Sequence, residues 1–401
     1  MKVVILANFP ARLDGKLNGR FVYLADMLTK RGHKVEMVVS DFVHGQKKRR
    51  EESDMRPDLY PFKITYIHET GYSKNVHPKR LWSHYVWGRN VTKYLQSIEK
   101  PDVIYCAIPS VTTAYKSAQY AKRNGIKYAV DLQDLWPEAF AMAIKNKLLQ
   151  KAFLPMKYMV DKAYASADLA VAVSDTYVNR ILSVNKKLKE GINVFLGNDG
   201  ANFDEGRGQY QLERTDDEFV LGYIGNMSTS YDIPRVLDAL KIVADRKGSR
   251  KPVRFVLIGG GVDAEKFQMY AKEVYPNTTF LGSKLYKEMA GLICCCDAVV
   301  NPIVSSSVAS IINKVGDYAL SGLPVINNQV SPEYRKLIED YHCGINCQPD
   351  SADSIADAIE TLVNNEELCK EMGANSLKLG REKFDRRYTY LKIVEAIESL
   401  I

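Results

Sequence analysis

No run in this 401-residue chain approaches the ~18 consecutive apolar residues that a membrane-crossing helix requires. The first stretch, "MKVVILANFPARLDG", is too soon interrupted for a signal peptide and reads as a first β-strand. The seven cysteines are an odd count without a Cys-x-x-Cys pair, which argues against a structural zinc site and a disulfide framework. They read as reduced, packed thiols of a cytoplasmic protein. The six histidines are scattered, and none is assigned a catalytic role. The first strand–loop–helix, "ANFPARLDGKLNGRFVYLADML", lacks Gly-x-Gly-x-x-Gly, which disfavours a nicotinamide dinucleotide. What remains is ordinary globular material, 46% hydrophobic and 26% charged, enough for two or three domains.

Acidic residues are scarce in one part only. Residues 1–100 hold 19 Lys and Arg against 10 Asp and Glu, whereas the other 301 residues hold 36 against 38. The basic excess therefore belongs to the N-terminal quarter and predicts an anionic partner there. It concentrates in "HGQKKRR" (44–50) and in "NVHPKRLWSHYVWGRNVTKYL" (75–95). The latter interleaves Lys79, Arg80, Arg89 and Lys93 with Trp82, Tyr85 and Trp87. Basic residues with Trp and Tyr suit an anionic membrane interface, although a solvated helix face with one Trp in the core reads equally from the pattern. No RNA-binding module is recognisable, so no nucleic-acid partner is expected.

Apolar runs alternate with helical patterns along the whole chain. "KVVILAN", "HKVEMVVS", "FKITYIHE", "PDVIYCAI", "IKYAVDL" and "ADLAVAVS" carry the βαβ rhythm of a parallel, doubly wound sheet. The rhythm breaks near residue 197 and restarts with "FVLGYIGN", "VRFVLIGGG", "TTFLG", "DAVVNPI", "LPVINN" and "CGINC". The expected division is a Rossmann-like domain over 1–200, a Gly-rich linker over 201–217, a second Rossmann-like domain over 218–375, and a C-terminal helix over 376–401. In that helix Tyr390, Ile393, Val394 and Ile397 recur at i, i+3, i+4 and i+7. Ligands of open α/β sheets bind at the carboxyl edges of the strands, so sites are expected there, facing a central cleft.

Three such edges carry polar residues. In "NPIVSSSVASIINKVGDYALSGLPVI" a helix is expected to begin near 310–312 with Ser310 as N-cap and to end at Gly322. Ser310, Lys314 and Asp317 then stand along one face, Lys314 suited to a phosphate and Asp317 to a neighbouring diol such as ribose. An exposed Lys–Asp pair on a helix start is the bland alternative. In "AVDLQDLWPEAF" (129–140) three acids, Asp131, Asp134 and Glu138, cluster at a strand end. Asp134 reads as the partner of an acceptor hydroxyl, and helix capping is the alternative. Gly15 and Gly19 loosen the first loop, with Gly19 and Arg20 opening the helix; a turn glycine and a surface arginine are the plain reading.

"INKVGDYALSGLPVI" resembles the donor-site helix of GT-B glycosyltransferases, specifically glycosyltransferase family 4. "NDGANFD" looks like that family's domain-boundary segment, "FVLGYIGNMSTSYDIPRVLDAL" like the opening of its second domain, and "VRFVLIGGG" like its following strand. "DLWPE" is similar to a segment of a subset acting on bacterial surface glycans. The resemblance runs in order along nearly the whole chain. It implies two Rossmann-like domains, retaining transfer of a sugar from a nucleotide-diphosphate donor, and no metal; the chain has no Asp-x-Asp. The donor would lie on Gly19, Arg20, Gly225, Asn226, Ser310, Lys314 and Asp317, with Asp131, Asp134 and Glu138 on the side of a lipid-linked or polysaccharide acceptor. The family's first donor-site Glu falls on Ala309, and its Lys-Gly falls on Tyr231–Asp232, leaving Lys314 as the main diphosphate charge. A nucleotide-sugar epimerase of the same fold and a catalytically degenerate partner subunit are the alternatives. The expected location is the cytoplasm, with peripheral contact to the inner membrane face.

Overall fold

The computed structural model describes residues 1–401 except 11, 12, 15, 18, 76, 139–150 and 307–310. The chain forms two compact units, Met1–Leu196 with Tyr390–Ile401, and Gly197–Thr389.

In the first unit the strands are β1 (Lys2–Ala7), β2 (Lys34–Ser40), β3 (Lys63–Ile67), β4 (Val103–Ile108), β5 (Lys127–Leu132), β6 (Leu169–Ala172) and β7 (Ile192–Asn193). They form one sheet in the order β3-β2-β1-β4-β5-β6-β7, with every pairing parallel. Helices α1 (Arg20–Lys30), α2 (Pro78–Ser97), α3 (Val111–Asn124), α4 (Leu154–Ser166) and α5 (Asp175–Leu182) lie between them. A parallel sheet is covered on both faces, so its strands read as continuous apolar runs. "KVVILA" and "VIYCAI" are buried almost throughout for that reason. Val3 and Ile5 pack into one core, Val4 and Leu6 into the other.

The second unit repeats the plan. Strands β8 (Phe219–Ile224), β9 (Val253–Ile258), β10 (Thr278–Gly282), β11 (Ala298–Asn301), β12 (Val325–Asn327) and β13 (Gly344–Asn346) form a parallel sheet ordered β10-β9-β8-β11-β12-β13. Its helices are α6 (Gly200–Gly206), α7 (Ile233–Arg246), α8 (Ala264–Val274), α9 (Tyr286–Ile293), α10 (Lys314–Ser321), α11 (Pro332–Tyr341), α12 (Ala352–Asn364), α13 (Glu366–Leu379) and α14 (Arg386–Thr389). In both units the order reverses beside the first strand, between β1 and β4 and between β8 and β11, the crevice where such sheets take ligands.

Two expected boundaries shift. Residues 201–217 were read as a linker from their glycines, yet Gly200–Gly206 is helix α6 of the second unit. Its glycines serve close packing: a Cβ on Gly206 would lie 2.1 Å from the Lys287 carbonyl oxygen, and Phe203 is fully buried. The C-terminal helix expected from 376 is interrupted instead. A π-helical turn occupies Gly380–Phe384, and the buried Asp385 accepts hydrogen bonds from Arg381 and Arg387. The chain rejoins the first unit only at Tyr390, where helix α15 (Leu391–Glu398) begins. Tyr390, Ile393, Val394 and Ile397 are then fully buried in the first unit's core, as their spacing predicted.

Candidate active site

At the carboxyl edge of the second sheet a cavity of about 720 Å³ is lined by Gly225, Asn226, Gly259, Gly260, Lys314 and Asp317, with Tyr231 and Ser283 alongside. Glycine is required here by close approach of backbones. A Cβ on Gly259 (φ 147°) would sit 1.9 Å from the Gly225 carbonyl oxygen, and one on Gly225 (φ 119°) would lie 2.8 Å from Lys314 Nζ. The Gly225 N–H donates to Ile258 O at 2.9 Å and the Met227 N–H to Gly260 O at 2.8 Å, which joins the loops after β8 and β9. Four of the donor residues read from the sequence, Gly225, Asn226, Lys314 and Asp317, therefore meet on one cavity.

Helix α10 begins at Lys314, one turn later than expected, with Asn313 at its N-cap and no side-chain cap. Ser310 and Ala309 lie outside the described residues, as does Gly15. Gly322 ends the helix in the left-handed conformation at φ 74°. The Lys314 ammonium donates to Tyr223 Oη at 3.0 Å, and the Tyr223 hydroxyl donates to the Asn226 carbonyl. Its Nζ also lies 4.2 Å from the Tyr223 ring centroid and 3.7 Å from that of Tyr231. Burial in this aromatic setting pushes the ammonium down to about 7, against the pull of Asp317. Asp317, 8% exposed, accepts from Asn198 Nδ2 at 2.6 Å and from the Tyr286 hydroxyl at 2.7 Å. Burial pushes its carboxyl up to about 6, while those two donors hold it down.

Asn198 and Tyr286 are the site residues that sequence reading missed. Asn198 opens "NDGANFD", which reads in the sequence as a domain boundary, but its amide grips the helix that carries Asp317. The same helix must have glycine at 316, because a Cβ there would lie 1.9 Å from Asn198 Oδ1. Tyr286 sits at the start of α9 with no motif around it.

In the first unit the residues read from the sequence divide. Asp134 stands exposed just beyond β5; burial of part of its surroundings pushes its carboxyl up, and the charge of Arg80 pulls it down. Gly19 caps α1 with φ 99°, a conformation that favours glycine. Arg20 is not a free phosphate-binding charge. Its guanidinium pairs with Asp131 Oδ2 at 2.6 Å, their side chains 2% and 0% exposed, and it donates to the carbonyls of Val194 and Phe195 at 2.8 and 3.1 Å. Asp131 also accepts from Tyr105 Oη at 2.7 Å. Both residues are interior and tie the last strand to the sheet, so neither serves donor or acceptor directly. Glu138 is likewise engaged, with Arg180 at 2.6 Å, and Arg180 also holds Asp161 at 2.5 Å. Among the described residues no group of His, Cys, Asp and Glu side chains could hold a metal ion. Each of the seven cysteines is free.

Residues 218–365 match the family model described as glycosyl transferases group 1. O-antigen chain mannosyltransferase C of Escherichia coli is 26% identical over 260 residues, which cover 64% of this chain and 66% of that protein. HepE of Anabaena, solved in complex with UDP, superposes with a TM-score of 0.68 at 13% identity over 100% of both chains. Sucrose-phosphate synthase of Thermosynechococcus elongatus does so with a TM-score of 0.69 at 14% identity, over 100% of this chain and 98% of that one. At such identities the structural likeness establishes the fold. With its two parallel-sheet Rossmann-like units the chain has the fold of the GT-B glycosyltransferases, and its residues 218–365 are similar to glycosyl transferases group 1.

Proposed function

We propose that the protein is a retaining, metal-independent glycosyltransferase that moves a sugar from a nucleotide-diphosphate donor to a lipid-linked or polysaccharide acceptor of a bacterial surface glycan. The observation that carries this reading is the cavity on which Gly225, Lys314 and Asp317 converge. The side-chain-free Gly225 lets a diphosphate approach the loop backbone. Lys314 supplies the counter-charge that a metal would otherwise provide, and Asp317 accepts the ribose hydroxyls. Asp134 in the first unit orients the acceptor hydroxyl or takes its proton, a role that a carboxyl pushed up by its surroundings suits. The E. coli relative is named for O-antigen chain mannosyl transfer, which supports a glycan acceptor. HepE was solved with UDP, which supports a nucleotide-linked donor. Retention rests on the family resemblance.

We also propose that the first unit rests on anionic membrane. Helices α2 and α3 contain no acidic residue, and Trp82 and Tyr85, 60% and 41% exposed, stack on the outside of α2 near Lys79, Arg89 and Lys116. Trp87, by contrast, is a core residue. No helix among the described residues is long and apolar enough to cross a membrane.

The epimerase reading gains one observation: His44 and His84 lie at the carboxyl edge of the first sheet. Burial pushes them down to about 4 and about 3, so both stand neutral at pH 7 and are poor proton donors. Incubation with UDP-, GDP- and ADP-sugars separates the readings. Binding with slow donor hydrolysis, the hydrolysis lost in Asp134→Ala, supports transfer. Release of a free isomer without acceptor supports the epimerase, and the absence of any nucleotide binding overturns both.

A further inference from the structure

A cluster in the first unit lies outside the donor machinery. Glu69, just past the end of β3 and fully buried, accepts hydrogen bonds from Asn8 Nδ2 at 2.9 Å, Ser40 Oγ at 2.7 Å and Ser83 Oγ at 2.8 Å. Those donors come from beyond β1, from the end of β2 and from α2, so the carboxyl of Glu69 clamps the start of α2 onto the carboxyl edge of the sheet. The clamp places Arg80 and His84, one turn apart on α2, beside Trp136 from the loop after β5. The Arg80 guanidinium lies 4.3 Å from the Trp136 ring centroid, 5.6 Å from that of Tyr72 and 5.9 Å from that of Phe9. The His84 ring lies parallel to Trp136, with centroids 5.5 Å apart.

This cation is held half out of water; its Nη1 donates to the Asn75 carbonyl at 3.0 Å, and it forms no ion pair among the described residues. Glu69 is engaged by its three donors, Asp41 is paired with Arg49 at 2.8 Å, and Asp134 stands at the margin. Lys47 adds a second positive charge, 5.2 Å from the Tyr72 ring centroid. Four buried polar atoms on the same sheet edge, Arg80 Nε, His84 Nε2, Asn8 Oδ1 and Gln133 Nε2, have no hydrogen-bond partner among the described residues. His84 is only 3% exposed. Buried polar atoms are normally satisfied, and several left open on one edge mark a place where a ligand completes the set. A guanidinium lying over an aromatic face keeps its N–H groups in the plane of the fork, directed at a planar or tetrahedral oxyanion.

We propose that Arg80, with Trp136, Tyr72 and His84 around it, is the subsite for an oxyanion carried by the acceptor glycan, either a phosphate on the sugar or a carboxylate of an acidic sugar. Arg80 takes the charge, and the buried aromatic rings hold its guanidinium in place. This rests on the reading that the first unit holds the acceptor.

The test is titration of the full chain, followed by tryptophan fluorescence, with a hexose 1-phosphate, a hexuronate and a neutral methyl hexoside. UDP and GDP binding is measured in the same samples. At least one anionic probe is expected to bind about ten-fold or more tightly than the neutral glycoside, the scale of one charge-assisted contact. Which of the two wins identifies phosphate or carboxylate. Arg80→Gln is expected to abolish the preference while nucleotide binding stays intact, and Arg80→Lys, which keeps the charge without the planar fork, to restore part of it. An equal affinity for the neutral glycoside, a preference that survives Arg80→Gln, or no binding of either anionic probe to the wild-type protein overturns the proposal. Since nucleotide binding is read separately, such a failure is distinct from failure of the glycosyltransferase reading.

Discussion

Asp317 and Lys314 are three residues apart on one helix, and their protonation decides what the cavity can hold. Asp317 must be ionised to accept ribose hydroxyls, and Lys314 must be charged to face a diphosphate. With the carboxyl at about 6 and the ammonium at about 7, nucleotide-sugar affinity is expected to rise with pH through about 6 and to fall beyond about 7. Calorimetric titration over pH 5–9 checks this, and a flat profile contradicts it. The same carboxyl bears on the stability of the ligand-free protein. Its folded value lies above the unfolded one, so its contribution is full below the unfolded value and is lost as pH rises through about 6. Arg20 offers an opposite kind of test. Arg20→Ala strands Asp131 in the interior and is expected to cost about 3–5 kcal/mol of stability, read by denaturant unfolding. A folded, fully stable Arg20→Ala protein would contradict its interior role. That role was not legible in the sequence, because the partner lies 111 residues away and the carbonyls it binds lie at 194 and 195. Lys314 and Asp317 were legible because their spacing on a single helix already puts them together.

At the scale of elements, strands were readable and the ends of helices were not. Parallel strands covered on both faces must be apolar at nearly every position, so "VVILA" or "VIYCAI" announces itself. The start of α10 did not: Asn313, its N-cap, makes no side-chain capping bond that a sequence motif would announce. The glycines at 200 and 206 misled for a related reason: they permit close packing in α6 as readily as they would loosen a linker. Helix α10 is itself positioned from outside. Asn198 presses against Gly316 while its amide holds Asp317. Gly316→Ala is expected to cost about 1–3 kcal/mol through overpacking and to weaken nucleotide binding by displacing that amide. An unfolding curve and a nucleotide titration read the two effects separately. Helix α2 makes a different prediction. Its exposed Trp82 and Tyr85 have few neighbours to lose, so Trp82→Ser with Tyr85→Ser should leave Tm nearly unchanged and abolish flotation with anionic liposomes. Flotation that persists in the double variant would remove α2 from the membrane contact.

For the whole molecule, the sheet orders 3-2-1-4-5-6-7 and, in the second unit, 10-9-8-11-12-13 follow one plan, in which each unit reverses beside its first strand. The return of the chain at Tyr390 ties its last helix to the unit where it began, with Arg31 and His33 both on Glu398 at 2.7–2.8 Å. The fold was readable from alternation alone, because the rhythm stops near 197 and restarts. The cavity of the second unit was half readable. Its charged residues stand in one motif, whereas the aromatic enclosure of Lys314 and the grip of Asn198 on Asp317 come from loops far apart in sequence. The central claim is that the cavity of the second unit binds a nucleotide-diphosphate sugar through Lys314 and Asp317. It is tested most directly by calorimetric titration of UDP-, GDP- and ADP-sugars into the wild-type, Lys314→Ala and Asp317→Ala proteins. Loss of one charge-assisted contact of about 1.5–3 kcal/mol predicts that a donor bound by the wild type binds each variant about 10- to 100-fold more weakly. No binding to the wild type, or equal binding by all three proteins, would contradict the account.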